Sequence, residues 1–321
     1  MTHAIEAHGL TKRFPAGKSG SHTVLDGLDL DVPTGGVFAL LGPNGAGKTT
    51  AINIFSTLLR PDAGTVRIDG HDVAREPAAV RSAIGVTGQF SAVDTMLTGE
   101  ENLQLMADLR HLGRKGRGRV AELLERFELT DAAKKPLLTY SGGMTRRLDL
   151  AMTLVSRPKI VFLDEPTTGL DPRSRRSMWD FVGEIVRDGV TILLTTQYLD
   201  EADALADRIA VLDGGSIVAE GSPNELKRRV PGSHIRLAFG DDARVAEAAS
   251  LFADARVVAA ERALQVPSIG GYADVSAVVR RLDGAGIVPE SLDIHTPDLD
   301  DVFFALTGHG SEVTETEEVA R

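Results

Sequence analysis

VFALLGPNGAGKTTAINIFSTLL, residues 37–59, is the stretch that decides the fold. Val37 to Leu41 run apolar without a break, the pattern of a strand buried on both faces. A glycine-rich turn follows, and then TTAINIFSTLL, which reads as a helix. The turn, GPNGAGKTT at 42–50, fits G-x-x-x-x-G-K-[ST] between a strand and a helix, the setting of a phosphate-binding loop. Gly42, Gly45 and Gly47 permit close backbone approach, with Pro43 and Asn44 completing the turn. The amides of Gly45, Ala46, Gly47, Lys48, Thr49 and Thr50 then point at phosphate oxygens from a helix N-terminus. Lys48 is expected to neutralise the β- and γ-phosphates and the Thr49 hydroxyl to ligate Mg²⁺. A glycine turn with a surface lysine is the plain alternative, and the flanking strand and helix argue against it.

Downstream, PKIVFLDEPTTGLDP at 158–172 ends an apolar run in two adjacent carboxylates, Asp164 and Glu165. Burying charge is costly unless it is paired or bound to metal. A bound nucleotide and its metal supply that compensation. Neighbours in a strand point to opposite faces, so Asp164 is expected to hold Mg²⁺ while Glu165 orients or deprotonates the attacking water. A third element, TYSGGMTRRLDLA at 139–151, opens a helix with Ser141, Gly142 and Gly143. One nucleotide does not need a second anion-binding helix start from its own chain; it does need one if a second copy presents it across an interface.

The rest of the chain supports this frame. Its 321 residues suffice for two domains. Lys plus Arg number 35 against 46 Asp plus Glu, a net charge of −11, which argues against nucleic acid as a partner. Without cysteine there is no thiol catalysis, Cys-ligated zinc or disulfide framework. MTHAIEAHGLTKRF lacks the apolar core of a secretory signal, and no run of about 18 apolar residues is long enough to span a bilayer.

IEAHGL and VLDGLDLDV read as two short strands joined by a Gly/Ser loop, PAGKSGSH, and TVRIDG at 65–70 as an edge strand. ENLQLMADLRHL and RVAELLERFEL read as helices separated by a solvated basic loop, GRKGRGR. Strands return at IVFLD, VTILLTT and RIAVLDGG, with helices between them, so the sheet is expected to be mostly parallel with a helical insertion at about 90–156. The nucleotide-binding unit is expected over 1–229. Beyond it, β-α-β-β-α-β suggests a small ferredoxin-like α+β domain over 230–309. Leu299, Val302, Phe303 and Leu306 form one apolar helical face, and 310–321 reads as a disordered acidic tail.

Taken together these motifs resemble the ATP-binding cassette (ABC) family over about residues 4–228. GPNGAGKTT is similar to its Walker A, YSGGM to its signature, IVFLDEP to its Walker B, GLD at 169–171 to its D-loop and VTGQ to its Q-loop. The resemblance implies an α/β P-loop NTPase fold and a head-to-tail homodimer clasping two ATP with Mg²⁺. It implies an integral-membrane permease as partner, and a place on the cytoplasmic face of the cell membrane. Phe14 would stack on adenine, Asp171 would lie in the D-loop, and Gln89 would reach both the nucleotide and the metal. Two positions depart from the family pattern. Gln197 stands where a switch histidine is expected, and it donates to a γ-phosphate without carrying charge. Met144 replaces the commoner glutamine and leaves the SGG amides intact.

TGQFSAVDTMLTGEENL, LTTQYLDEADALADRI and PDLDDVFFALTG further resemble the daunorubicin-resistance subgroup of exporter ATPases. This implies efflux of an amphipathic drug through a separate permease. An exporter of a complex lipid or other natural product, an import ATPase and a soluble non-transport ABC ATPase are the alternatives. The C-terminal helix either supports dimerisation or regulation, as the resemblance implies, or closes the small domain's own core.

Overall fold

The computed structural model describes residues 2–16, 20–88, 93–229, 233–268, 272–295 and 297–307. The chain divides into two compact units, Met1–Pro223 and Asn224–Arg321. Among the described residues no helix is long and apolar enough to cross a membrane.

The first unit holds two sheets. One is antiparallel, built from β1 (His3–Ala16), β2 (Gly20–Pro33), β4 (Ala63–Ile68) and the two-residue β5 (His71–Asp72), in the order β2-β1-β4-β5. The other contains β3 (Val37–Leu41), β6 (Ile84–Thr87), β7 (Ile160–Asp164), β8 (Thr191–Thr196), β9 (Arg208–Asp213) and β10 (Ser216–Gly221), in the order β10-β9-β3-β8-β7-β6. Every pair in it is parallel except β9–β10. β3, β7 and β8 are buried at every position; their apolar runs suit central parallel strands, with Asp164 and threonines Thr191, Thr195 and Thr196 at the strand ends.

α1 (Lys48–Phe55) touches β2, β4 and β7, and so lies between the two sheets. Its Ile52, Ile54 and Phe55 join Leu25, Leu28, Leu30, Phe38 and Phe162 in one core. α2 (Pro77–Ala83) leads into β6. Helices α3 (Gly99–Leu109), α4 (Arg114–Arg126) and α5 (Gly142–Thr153) pack on one another. α6 (Pro172–Arg187) and α7 (Leu199–Leu205) flank β8 in sequence, and the mutually tilted rings of Phe127 and Phe181, with centroids 5.0 Å apart, join the end of α4 to α6. α8 (Pro223–Arg229) leaves the first unit.

Several expectations need correction. PAGKSGSH is largely strand: Pro15 pairs with Ser21 and Ala16 with Gly20, so the β1–β2 hairpin runs on through most of the segment read as a loop. β4 is not at an edge, because β5 pairs along its far side. GRKGRGR is not a linker: after its first glycine, Gly113, the N-cap, it forms the start of α4. Its glycines suggested a break, yet Gly116 is buried where a Cβ would sit 3.1 Å from the Ala107 Cβ. There the missing side chain permits close α3–α4 packing.

The second unit has strands β11 (His234–Ala238), β12 (Arg256–Val258), β13 (Ala263–Pro267) and β14 (Ser291–His295), with helices α9 (Asp242–Ala249), α10 (Tyr272–Ala285) and α11 (Leu299–Thr307). Its antiparallel sheet has the order β12-β13-β11-β14, and the elements through β14 run β-α-β-β-α-β, interrupted only by a short 3-10 turn. Ile235, Leu237 and Phe239 pack there with Val245, Phe252, Leu264, Val278 and Leu282. On α11, Leu299, Val302 and Phe303 are buried while Leu306 is exposed. Residues 310–321, read as a tail, lie outside the described residues.

Candidate functional site

Strand register gathers the site. Leu41 is opposite Thr196, Asp164 opposite Thr195, and Thr87 opposite Leu163. The residues that follow β3, β7 and β8 therefore all emerge at the carboxyl edge of one parallel sheet, where open α/β sheets bind ligands. Gly42 donates its N–H to the Thr196 carbonyl and Glu165 donates its own to the Thr195 carbonyl, which fixes the loop and the carboxylate turn to the same strand end.

Gly42 has no alternative there: a Cβ would lie 2.3 Å from the Leu212 backbone oxygen. Gly47 is held at φ 108°, with Leu25 and Val24 where a Cβ would stand. Gly47 is also the N-cap of α1, and no side chain caps that helix. Its first amides are left to a ligand, and the helix dipole favours an anion. Lys48 is buried beside them, its Nζ donating to the carbonyls of Gly42 at 2.6 Å and Pro43 at 3.0 Å. Burial pulls the Lys48 ammonium below its ordinary value, while Glu165 and Asp164 act in the opposite direction. A buried cation beside an uncapped helix start fits a polyphosphate.

The two carboxylates do not separate by strand alternation as expected. β7 ends at Asp164, and Glu165 turns out of it in the left-handed region at φ 47°. Both side chains stay on the site. Asp164 is buried; its Oδ1 accepts from the Thr195 hydroxyl and lies 3.4 Å from the Thr49 hydroxyl. Thr49 and Asp164 thus form an oxygen pair suited to Mg²⁺, which keeps several waters and takes few protein ligands. Glu165 Oε1 lies 3.9 Å from Lys48 Nζ, and Oε2 accepts from the Thr168 hydroxyl at 3.3 Å.

Other expected residues lie around this centre. Gln197 directly follows β8 and is half-buried. Phe14 is exposed near the hairpin end, opposite His22, with Lys12 Nζ 5.6 Å from its ring centroid. Ser141 caps α5 by accepting from the Met144 N–H, ahead of Gly142 and Gly143. A Cβ on Gly143 would meet the Ser174 hydroxyl at 2.8 Å, and that hydroxyl donates to Asp171 at 2.6 Å. Asp171 itself caps α6, and the Ser174 hydroxyl is the main reason its carboxyl titrates below the usual range. Gln89 lies outside the described residues; β6 brings the chain to Gly88 at this same edge.

Sequence reasoning missed Arg146. This nearly buried guanidinium, on α5 just past the SGG turn, donates to the carbonyls of Asp164, Glu165 and Pro166 at 3.1, 3.2 and 2.8 Å. It also reaches the Gly88 carbonyl at 3.1 Å and Asp149 at 3.2 Å. One side chain thereby joins the SGG helix, the carboxylate turn and the segment entering Gln89. The available signal was the i,i+3 Arg146–Asp149 pair in a helix whose following residues are buried.

Comparison with known proteins agrees with this geometry. A family model described as ABC transporter matches residues 25–168. Daunorubicin resistance ATP-binding protein DrrA3 of Streptomyces coeruleorubidus is 49% identical over 97% of this chain and 98% of its own length. Doxorubicin resistance ATP-binding protein DrrA of Mycobacterium tuberculosis is 46% identical over 96% of this chain and 95% of its own. Nod factor export ATP-binding protein I of Ralstonia nicotianae is 36% identical over 96% and 94%. Among solved structures, a dimeric ATP-binding cassette in a post-hydrolysis state with ADP and Pi superposes with a TM-score of 0.62 at 27% identity, covering 68% of this chain and 98% of that one. With a loop, carboxylate turn and SGG helix arranged for Mg²⁺-dependent ATP hydrolysis, and with full-length relatives of the same build, the chain belongs to the ATP-binding proteins of ABC transporters.

Proposed function

We propose that this chain is the ATP-hydrolysing subunit of an exporter that expels an amphipathic, anthracycline-like drug through a separate membrane permease. The observation that carries the motor half of this reading is the meeting of Lys48, the Thr49–Asp164 pair and Glu165 at one sheet edge. The drug class rests on the printed names of the daunorubicin- and doxorubicin-resistance relatives.

In this reading Lys48 leaves the Gly42 and Pro43 carbonyls and turns to the β- and γ-phosphates. The exposed amides of the 42–50 loop hold the same oxygens. Thr49 and Asp164, with Gln89, would hold Mg²⁺, and the ion when bound would supply neutralisation of phosphate charge. Glu165 orients the attacking water and takes its proton, and Gln197 donates to the γ-phosphate. Phe14 stacks on adenine. Ser141, Gly142 and Gly143 serve the nucleotide of a second copy, and Asp171, joined to Gly143 through Ser174, lies at the same interface. Contacts to the γ-phosphate are lost on hydrolysis, so the dimer opens and the permease resets. The ATPase unit is assigned to 1–229 with its helical part at 90–156, and 230–309 to an accessory domain. The permease holds the protein at the cytoplasmic face of the membrane.

Co-reconstitution with the cognate permease tests this reading. ATPase stimulation and vectorial transport are expected with daunorubicin. Stimulation by complex lipids alone supports the second reading, an exporter of a complex lipid or other natural product. A protein that stays monomeric with ATP in the Glu165→Gln background refutes the clasped dimer.

A further inference from the structure

Glu201 lies on α7 and is fully buried. Three elements close around its carboxyl. Trp179 of α6 donates its indole N–H to Oε1 at 3.4 Å. The hydroxyls of Thr196, at the end of β8, and Thr167, just past Glu165, face the same group. Among the described residues, Glu201 Oε2 and Thr167 Oγ1 are both buried and neither has a hydrogen-bond partner.

An ionised carboxylate at this place is poorly compensated. The charged groups that face it are Arg146 from α5 and Asp200 from its own helix. Arg146 is committed to Asp149 and to four backbone carbonyls, and Asp200 repels negative charge. A hydroxyl donating to a carboxylate would satisfy these two atoms as well as an acid O–H would, but only a proton on Oε2 removes the buried charge that no cation of its own offsets. Burial favours the same state by pushing the Glu201 carboxyl above its ordinary range.

We propose that Glu201 is an uncharged carboxylic acid in the working protein and a positioning residue that ties the Glu165–Thr168 turn to the β8 end carrying Gln197. The proposal rests on the roles given above to Glu165 and Gln197 and deepens them. Thr167 and Thr196 anchor the two segments, and a single neutral group spans them. Its neutrality matters because the charge on the other side of these segments changes as ATP is bound, cleaved and released.

The test combines infrared spectroscopy with kinetics on the full chain. At neutral pH the wild type is expected to show a protonated-acid carbonyl band that disappears in Glu201→Gln and persists in Glu165→Gln. Glu201→Gln, isosteric and uncharged, keeps kcat within about twofold, whereas Glu201→Ala lowers kcat roughly 10- to 100-fold with KM for ATP little changed. Absence of the band, or a Glu201→Gln defect as large as that of Glu201→Ala, overturns the proposal. Should Glu201→Ala not fold, the band and the Glu201→Gln turnover decide alone. Failure of the ATPase reading is separate: it leaves Glu165→Gln as active as wild type while the Glu201 band stands.

Discussion

Arg146→Ala removes a guanidinium that five acceptors share, three of them successive carbonyls at the carboxylate turn. Hydrogen bonds from a charged donor contribute about 1.5–3 kcal/mol each, but those made by one side chain are not additive. Breaking a buried charge network by deleting one partner costs about 3–5 kcal/mol, the figure expected here. At about 2–4 °C per kcal/mol for a unit of this size, the melting temperature should fall by roughly 6–20 °C. The Glu165 carbonyl loses its donor where the backbone already sits at φ 47°, so the carboxylate moves. A displacement on the order of 1 Å lowers turnover about 10²-fold. ATP affinity stays near wild type, because the 42–50 loop is untouched. Arg146→Lys keeps the charge but not the planar fork, and should fall between. Thermal melting, steady-state ATPase and fluorescent-nucleotide titration read the three quantities. An Arg146→Ala protein that melts within about 2 °C of wild type and hydrolyses ATP normally would refute the positioning argument.

Glu165→Gln should lower kcat roughly 10²–10⁴-fold while ATP still binds, and Gln197→Ala should cost less than about tenfold; near-normal turnover of Glu165→Gln removes its role as base. Among variants lacking that carboxylate, Glu165→Gly should be more stable than Glu165→Ala by about 1 kcal/mol, since glycine accepts the left-handed backbone; urea unfolding with the reverse order contradicts the strain. Gly42→Ala drives a Cβ into the Leu212 carbonyl, so ATP binding is lost with about 1–3 kcal/mol of stability, and a variant that binds ATP normally would show the loop to be compliant. The raised Glu201 carboxyl makes the native state hold a proton that the unfolded chain has released above the ordinary carboxylate value. Wild-type stability should therefore fall, as pH rises from that value towards the folded one, by up to about 1.4 kcal/mol per unit relative to Glu201→Gln; a difference independent of pH rejects a neutral Glu201.

Much of the ATP site was legible because its chemistry demands particular residue types in short segments. A phosphate loop needs glycines where a Cβ would strike backbone, and Gly42 and Gly47 meet that demand. The central strands were legible because burial on both faces leaves no polar position in VFALL and none in IVFLD before the site carboxylate Asp164. Arg146 and Glu201 were opaque for the converse reason. In a helix, an Arg or Glu within a polar sequence reads as solvated, and only tertiary packing turns these two inward. The GRKGRGR segment misled in the same way: its glycines signal a break in isolation, but Gly116 serves contact with Ala107. The hairpin end was missed because strand pairing of Pro15 with Ser21 depends on the partner strand, and a Gly/Ser composition hides it.

The adjacency of Asp164 and Glu165 raises a geometric difficulty that regular strand structure does not solve. In a continued strand their side chains would point to opposite faces of the sheet, and one would leave the nucleotide. The left-handed turn at Glu165 rotates the second carboxylate back towards Lys48, so that one contacts Thr49 and the other the lysine. A non-glycine residue in that region costs about 1–2 kcal/mol. The surroundings hold it there: Glu165 donates backbone N–H to Thr195, and Arg146 binds the carbonyls on either side. Because Arg146 belongs to the helix that begins at the SGG turn, a shift of that helix is felt directly at the Glu165 backbone. In the clasped dimer proposed above, coupling between the two halves would have a short covalent and hydrogen-bonded route inside each chain, from Gly143 through α5 to Glu165.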